Sequence, residues 1–277
     1  MLRGGFMPTH DAAAPGVHAS PEAPAAETRE FYQRSLALLE GAGIPFMVGG
    51  GYAMAYYTGI VRCTKDLDVF CRPVDRDRVL DVLAEQGGYR TDLTWPHFLA
   101  KAIHGDAFID VIYRSGNGLC DVDDEWFANA RPGEVWGQPA MICPVEETIW
   151  SKAFVQERDR FDGADLAHLI LRQGRAIDWR RLVRRFECQG CERVLLAHLI
   201  MFGFIYPSER GCVPEWVIGH LEEAVRNEQA VEQKICRGPL LSKYMYVTPV
   251  DVWGYEDVRL PPWGIWTQED VPHFVAV

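Results

Sequence analysis

Two aspartates stand two residues apart in the stretch Thr64-Lys65-Asp66-Leu67-Asp68-Val69-Phe70. On an extended strand, positions i and i+2 share a face, so Asp66 and Asp68 point together while Leu67 and Val69 turn toward a core. Two like charges about 4 Å apart repel by roughly 4 kcal/mol at an effective dielectric near 20. A strand that keeps them together needs a cation between them, and a divalent metal is the natural one. A third carboxylate, Asp110, interrupts the otherwise apolar run Phe108-Ile109-Asp110-Val111-Ile112-Tyr113, where an unpaired charge is costly to bury. Upstream, Gly49, Gly50 and Gly51 follow Val48 and precede Tyr52-Ala53-Met54. Successive glycines let backbone approach a ligand closely, and the free amides of a helix N-terminus favour anions. Cation-gathering acids beside an anion-cradling turn are suited to a substrate that carries both metal and phosphate.

The elements that must position these groups follow from the hydrophobic pattern. Ile44 to Val48 is an apolar strand entering the glycine turn, and Tyr52 to Tyr57 is a short helix leaving it. Pro73 to Glu85 is predicted as an amphipathic helix with Val79, Leu80, Val82 and Leu83 inward. Tyr89 to Trp95, Phe98 to His104 and Ala107 to Arg114 are predicted as antiparallel strands joined by short turns. Beyond Arg131-Pro132-Gly133, a short strand near Ala140 to Cys143 leads to Pro144, suited to a helix start that Glu146 and Glu147 complement. Helices are then expected at Val145 to Arg160, Asp162 to Gln173, Asp178 to Glu187, Glu192 to Tyr206 and Pro214 to Ala230.

The chain has 277 residues, 48% of them hydrophobic and 24% charged, enough for a substantial core. Met1 to about Ala26 lacks periodicity and is expected to be a disordered leader. The remainder divides into an α/β unit over 27–144, a helical unit over 145–237 and an aromatic, Pro-rich tail over 238–277 that packs on the body. The N-terminus has no secretory pattern and no apolar run reaches the length of a membrane span, so a cytoplasmic protein without a membrane partner is expected. A net charge of −11 argues against wholesale coating of nucleic acid. The eight cysteines are irregularly spaced. Cys188 and Cys191 lack a second pair to complete a zinc site, and free thiols in a helix–helix turn are the expectation.

Together, Val48-Gly49-Gly50, Asp66-Leu67-Asp68 and a later lone Asp110 resemble the signature of the DNA polymerase beta-like nucleotidyltransferase superfamily. Gly49-Gly50-x-x-Ala53 with Arg62-Cys63-Thr64-Lys65-Asp66-Leu67-Asp68 is most similar to its small prokaryotic branch, which includes the nucleotidyltransferase toxins of type IV toxin–antitoxin pairs and, more loosely, lincosamide nucleotidyltransferases. Pro144-Val145-Glu146-Glu147, Trp150-Ser151-Lys152 and Arg160 to Leu166 extend the likeness into the helical part. The resemblance implies an α+β fold: a polymerase-beta-like domain, with a mixed sheet and flanking helices, followed by an all-helical C-terminal domain. It implies Asp66, Asp68 and Asp110 as catalytic metal ligands for Mg²⁺ or Mn²⁺, two ions together, with Asp110 beside the acceptor hydroxyl. It implies Gly49, Gly50, Gly51, Arg62, Lys65 and Lys152 around an NTP, ATP included.

The implied activity is transfer of an NMP from an NTP to an acceptor hydroxyl. Arg180, Arg181, Arg184 and Arg185 share one arc of a helix whose other arc is Trp179, Leu182, Val183 and Phe186. That pattern is either an ordinary charged face or a phosphate track for an RNA end such as a tRNA. If the arc borders the cleft, RNA is the acceptor; if the aromatic tail walls it, a small molecule such as an antibiotic or metabolite is. An antitoxin partner belongs to the toxin-like reading. A catalytically silent nucleotide-binding protein on the same fold is the competing class, and three converging carboxylates speak against it.

Overall fold

The computed structural model describes residues 24–62, 64, 66–115, 117–269 and 271. The first 23 residues of the expected leader, and Lys65, lie outside them. Helix α1 (Ala26–Gly41) buries Phe31, Tyr32, Leu36 and Leu39 and ends two residues before Gly43, whose positive φ turns the chain toward β1 (Met47–Val48). Then come α2 (Gly50–Thr58), β2 (Leu67–Phe70), α3 (Arg76–Glu85), β3 (Arg90–Trp95), β4 (Leu99–His104) and β5 (Ala107–Ile112). A short helix α4 (Asp124–Asn129) and a hairpin of β6 (Arg131–Val135) and β7 (Gln138–Ile142) complete the sheet-bearing part.

The sheet has the order β3-β4-β5-β2-β1-β7-β6 and is mixed, with β2/β5 and β1/β7 parallel and the other neighbours antiparallel. Period-two patterning sets its faces. Leu67, Val69, Ile109 and Val111 are fully buried, whereas the alternate positions Asp68, Phe70, Asp110 and Ile112 line a cleft. A helical part follows, with α5 (Val145–Lys152), α6 (Gly163–Gln173), α7 (Trp179–Glu187), α8 (Glu192–Ile205) and α9 (Glu215–Asn227). The last stretch carries β8 (Ile235–Cys236), α10 (Val247–Asp251) and β9 (Glu256–Asp257) among irregular turns. One buried cluster runs unbroken from Phe31 in α1 to Leu221 in α9, because α2 packs on both α5 and α6.

Two expectations require correction. Helix α5 ends at Lys152, not near Arg160, and 153–162 is an irregular turn. Its local sequence does not break a helix; instead Asp162 folds back onto Lys152 at 2.7 Å, and Gln156 bridges to Phe161. The segment Arg131-Pro132-Gly133, read as a boundary, is itself the edge strand β6, where Pro132 needs no inward N–H.

The arginine arc of α7 is largely an internal brace. Arg181 is buried and pairs with Glu146, and its Nε lies 3.3 Å from Glu147. Arg185 reaches Asp123 at 2.5 Å and Glu147 at 3.3 Å, with its guanidinium 4.9 Å from the Trp150 ring centre. Arg184 pairs with Glu125 at 2.5 Å, and Arg180 lies over Trp216. Three of the four arginines thus tie α7 to α5 and to the α4 turn. Removing one member of a buried pair leaves its partner's charge uncompensated, at a cost of about 3–5 kcal/mol. Arg181→Ala is therefore expected to lower the unfolding free energy by about that amount, and Arg180→Ala by about 0.5 kcal/mol or less. Chemical denaturation of the two variants checks this; equal midpoints would remove the brace.

Candidate active site

The acid cluster is assembled by strand register. Asp68 on β2 is the parallel partner of Asp110 on β5, and Asp110 is the antiparallel partner of Lys101 on β4. These three side chains form a row across three adjacent strands. Asp66, at the bend before β2, joins the row's end two residues from Asp68. Asp66, Asp68 and Asp110 each offer a carboxylate oxygen, all within 4.8 Å of one another, and no other group of three metal-competent side chains occurs among the described residues. Cys188 and Cys191 therefore complete no such group.

The electrostatics follow from this crowding. Burial, then the charges of Asp66 and Asp110, push the Asp68 carboxyl up to about 7. Burial also raises Asp110, although Lys101 opposes the rise by donating to it at 2.5 Å. Three carboxylates against one lysine leave two formal negative charges. The donor set is hard oxygen, held close enough for shared coordination, and it fits Mg²⁺ or Mn²⁺.

The glycine turn meets this cluster directly. The Gly49 amide donates to the Asp68 carbonyl at 3.0 Å. Gly50 has φ +52, and a Cβ there would fall 1.6 Å from Asp68 Oδ2. A Cβ on Gly49 would fall 2.2 Å from the Phe70 ring. Both positions therefore demand glycine, the first for conformation and space and the second for space. Helix α2 begins at Gly50, so its free amides open beside the carboxylates.

Facing the sheet is a second cluster built by α5 and α6. Lys152 donates to Asp162 at 2.7 Å and to Asp165 at 2.8 Å. Arg160 reaches Asp162 at 3.2 Å, and Arg62 reaches Asp165 at 2.6 Å. Burial works against the Asp162 charge, yet Lys152 and Arg160 outweigh it and hold that carboxyl below its ordinary range. Three cations on two carboxylates leave a net positive charge opposite the acids. Asp165, in the first turn of α6, ties Lys152 to Arg62.

Both clusters bear on one cleft of about 400 Å³, lined by Gly49, Gly50, Asp68, Asp110, Ser151, Lys152 and Arg160. Its far wall is the segment Pro239 to Lys243. The arginine arc lies elsewhere: Arg184 and Arg185 border a separate cavity of about 200 Å³ with Trp150 and Asp123. Tyr244, Tyr246, Trp253, Tyr255, Trp263 and Trp266 do not line the acid cleft, although Trp266 packs beneath its rim on Phe98. Lys101, Arg160 as a cleft residue, and the 239–243 wall escaped the sequence reading. Lys101 had a signal, a lysine between the core alanines Ala100 and Ala102, but its partner is visible only once the strand register is known.

Several solved structures are similar to this chain. The antibiotic-resistance factor ANT(2'')-Ia is 19% identical over 67% of this chain and 96% of its own, with a TM-score of 0.38. The lincosamide antibiotic adenylyltransferase LnuA, bound to lincomycin, is 18% identical over 52% of this chain and 96% of its own, with a TM-score of 0.37. An antigenic nucleotidyltransferase-like protein from Paracoccidioides brasiliensis is 15% identical over 70% of this chain and 97% of its own, with a TM-score of 0.46. No curated protein sequence matches. The family of uncharacterised nucleotidyltransferases matches residues 27–204, a span that contains the glycine turn, the three aspartates and the Lys152 cluster. By that match, which covers well over half of its length, the chain belongs to this nucleotidyltransferase family.

Proposed function

We propose that the cleft transfers a nucleoside monophosphate from an NTP to a hydroxyl of a small molecule, using divalent metal held by Asp66, Asp68 and Asp110. Mg²⁺ or Mn²⁺ there, two ions by the resemblance, supplies charge neutralisation at the phosphates and acidifies the attacking hydroxyl. The protein's own residues do the rest. The free amides at Gly50 and Gly51 receive the triphosphate, and Gly49, whose own N–H is engaged by the Asp68 carbonyl, adds no side chain to the turn. Lys152, fixed by Asp162 and Asp165, directs its remaining N–H and the cluster's net positive charge toward the same phosphates, with Arg62 and Arg160 beside it. Lys65, outside the described residues, is proposed on sequence alone. Asp110 has an affinity for protons raised by burial and sits beside the acceptor, where it takes the hydroxyl proton.

The observation that carries the small-molecule reading is the far wall. Pro239 to Lys243 walls the same cleft as the acids, whose volume of about 400 Å³ suits a compact ligand. The arginine arc, the candidate RNA track, is engaged in ion pairs and borders another cavity. An antitoxin partner finds no support in these features.

Purified protein incubated with each of the four labelled NTPs and Mg²⁺ or Mn²⁺ is expected to place label in a metabolite extract. Asp68→Ala should reduce it by about a thousandfold or more. Label appearing in total RNA instead would overturn the small-molecule acceptor. Lys152→Gln is expected to weaken binding of a non-hydrolysable NTP analogue about tenfold to a hundredfold, since it removes a charge-assisted contact; unchanged calorimetric affinity would refute its phosphate role.

A stability measurement tests the metal site independently. Asp68 ionises near pH 7 in the fold, against an ordinary carboxyl near 3.9. The folded state therefore binds that proton more tightly; the contribution is fully present below about pH 4 and is lost as pH rises through about 7. In EDTA at pH 8, Asp68→Asn is expected to melt on the order of 5 °C above wild type. Millimolar Mg²⁺ should raise the wild-type midpoint and leave the variant's nearly unmoved. Equal response of both proteins to Mg²⁺ would count against Asp68 as a ligand.

A further inference from the structure

Four cations line the acid cleft: Arg114, Lys152, Arg160 and Lys243. Three are already matched by carboxylates. Arg114 pairs with Asp121, Lys152 with Asp162 and Asp165, and Arg160 with Asp162. Lys243 makes no ion pair among the described residues. Its ammonium lies instead 4.4 Å from the Trp95 ring centre and 5.0 Å from that of Phe98, two rings stacked at an interplanar angle of 16°. An aromatic face stabilises a cation only partly, because it offers a quadrupole and no hydrogen-bond acceptor. Burial pushes the Lys243 ammonium below its ordinary pKa although the Glu157 carboxylate, which makes no ion pair with it, opposes the shift.

The position is fixed and not a surface accident. Lys243 donates its backbone N–H to Glu157 Oε1 at 2.8 Å, and the buried Ser242 hydroxyl donates to the same carboxylate. The Gln156 amide donates to the Leu241 carbonyl at 3.0 Å, and Asn117 holds the Leu240 carbonyl at 3.0 Å. On the other side, the Tyr113 hydroxyl donates to the Pro96 carbonyl at 2.9 Å and so fixes the turn that carries Trp95 and Phe98. Phe98 stands three residues before Lys101, the strand partner of Asp110, hence roughly 10 Å along the sheet from that carboxylate. Lys243 is thus on the β4–β5 side of the cleft with Asp110, whereas the glycine turn and Lys152 belong to the opposite side.

We propose that Lys243 binds an anionic group, phosphate or carboxylate, of the acceptor molecule, so that the small molecule modified here is an anionic alcohol. This rests on the transferase reading above and names its acceptor class. In the bound state the anion supplies the hydrogen-bond acceptor that the two rings cannot, while its apolar body lies on Phe98 and Leu240.

The test divides a metabolite extract on an anion-exchange resin and offers the retained and the unretained fractions separately to the full-length protein with labelled NTP and Mg²⁺. Label is expected from the retained fraction. Lys243→Gln should raise the KM for that fraction about tenfold to a hundredfold with kcat little changed, and Lys243→Arg should restore most of it. Binding of the non-hydrolysable NTP analogue should be the same in wild type and Lys243→Gln, which also reports that the variant is folded. Label from the unretained fraction alone would overturn the anionic acceptor and leave the transferase intact. Analogue binding weakened by Lys243→Gln as much as by Lys152→Gln would assign the lysine to the nucleotide and overturn the proposal. Label from no fraction, or from RNA alone, would remove the small-molecule transferase reading and this inference with it.

Discussion

The repulsion among Asp66, Asp68 and Asp110 is the constraint around which the rest of the site is arranged. Three carboxylate oxygens within 4.8 Å cannot all be ionised beside a hydrophobic core without positive charge nearby. Strand register brings one such charge, Lys101, onto Asp110, and leaves Asp68 with its carboxyl pushed up to about 7. The deficit is about two charges, the charge of one divalent ion. Register also makes the cluster stiff: Asp68 and Asp110 are neighbours in a parallel ladder whose alternate residues, Leu67, Val69, Ile109 and Val111, are fully buried. Moving either carboxylate away would require a slip that exposes a core strand. The crowding is therefore enforced by the hydrophobic effect, and the strands cannot relax to relieve its electrostatic cost.

The same chain uses its other charges in the opposite way. Arg181 and Arg185 bring positive charge into low-dielectric surroundings where Glu146, Glu147 and Asp123 already wait, and the result is closed ion pairing. Burial raises the Glu147 carboxyl to about 7 even against two arginines, so that pairing is close to balance and not strongly stabilising by itself. What it does supply is position. Helix α7 is held to the first turn of α5, and α5 carries Lys152 into the cleft. A net charge of −11 is compatible with phosphate chemistry because the cleft's basic residues are grouped locally by such helix placement.

The strands, their aspartates and the glycine turn were legible in the sequence because each has a short-range signature: period-two apolar runs, a carboxylate where none belongs, and consecutive glycines; the mixed order of the sheet came only with the family resemblance. The helices of the second part were legible through their 3.6-residue period, with boundaries off by a few residues. The end of α5 was missed because Asp162 folding onto Lys152 decides it, and no local breaker does. The arginine arc was left open for a related reason. A helix with four arginines on one side has the same period whether that side faces water or a ring of glutamates, and only tertiary placement distinguishes the two. Lys101 and the Pro239 to Lys243 wall were invisible for want of register and of any periodic pattern.

The division of labour along the chain follows from where these parts lie. Residues 27–204, the span shared with the nucleotidyltransferase family, hold the glycine turn, the three aspartates and the Lys152 cluster, the groups proposed above to address an NTP. The far wall comes from 239–243, beyond that span, and is attached to the body by backbone carbonyls, by Glu157 and by Leu241 packing on the core. The Lys243 side chain takes no part in that attachment and can change without disturbing the core, whereas the aspartate row cannot change without altering the sheet. Physical coupling to the core is thus strong for the aspartate row and weaker for the 239–243 segment. That short segment, remote in sequence from the aspartates, can change what it presents to the cleft independently of them, and Lys243 is its charged residue that meets the cleft.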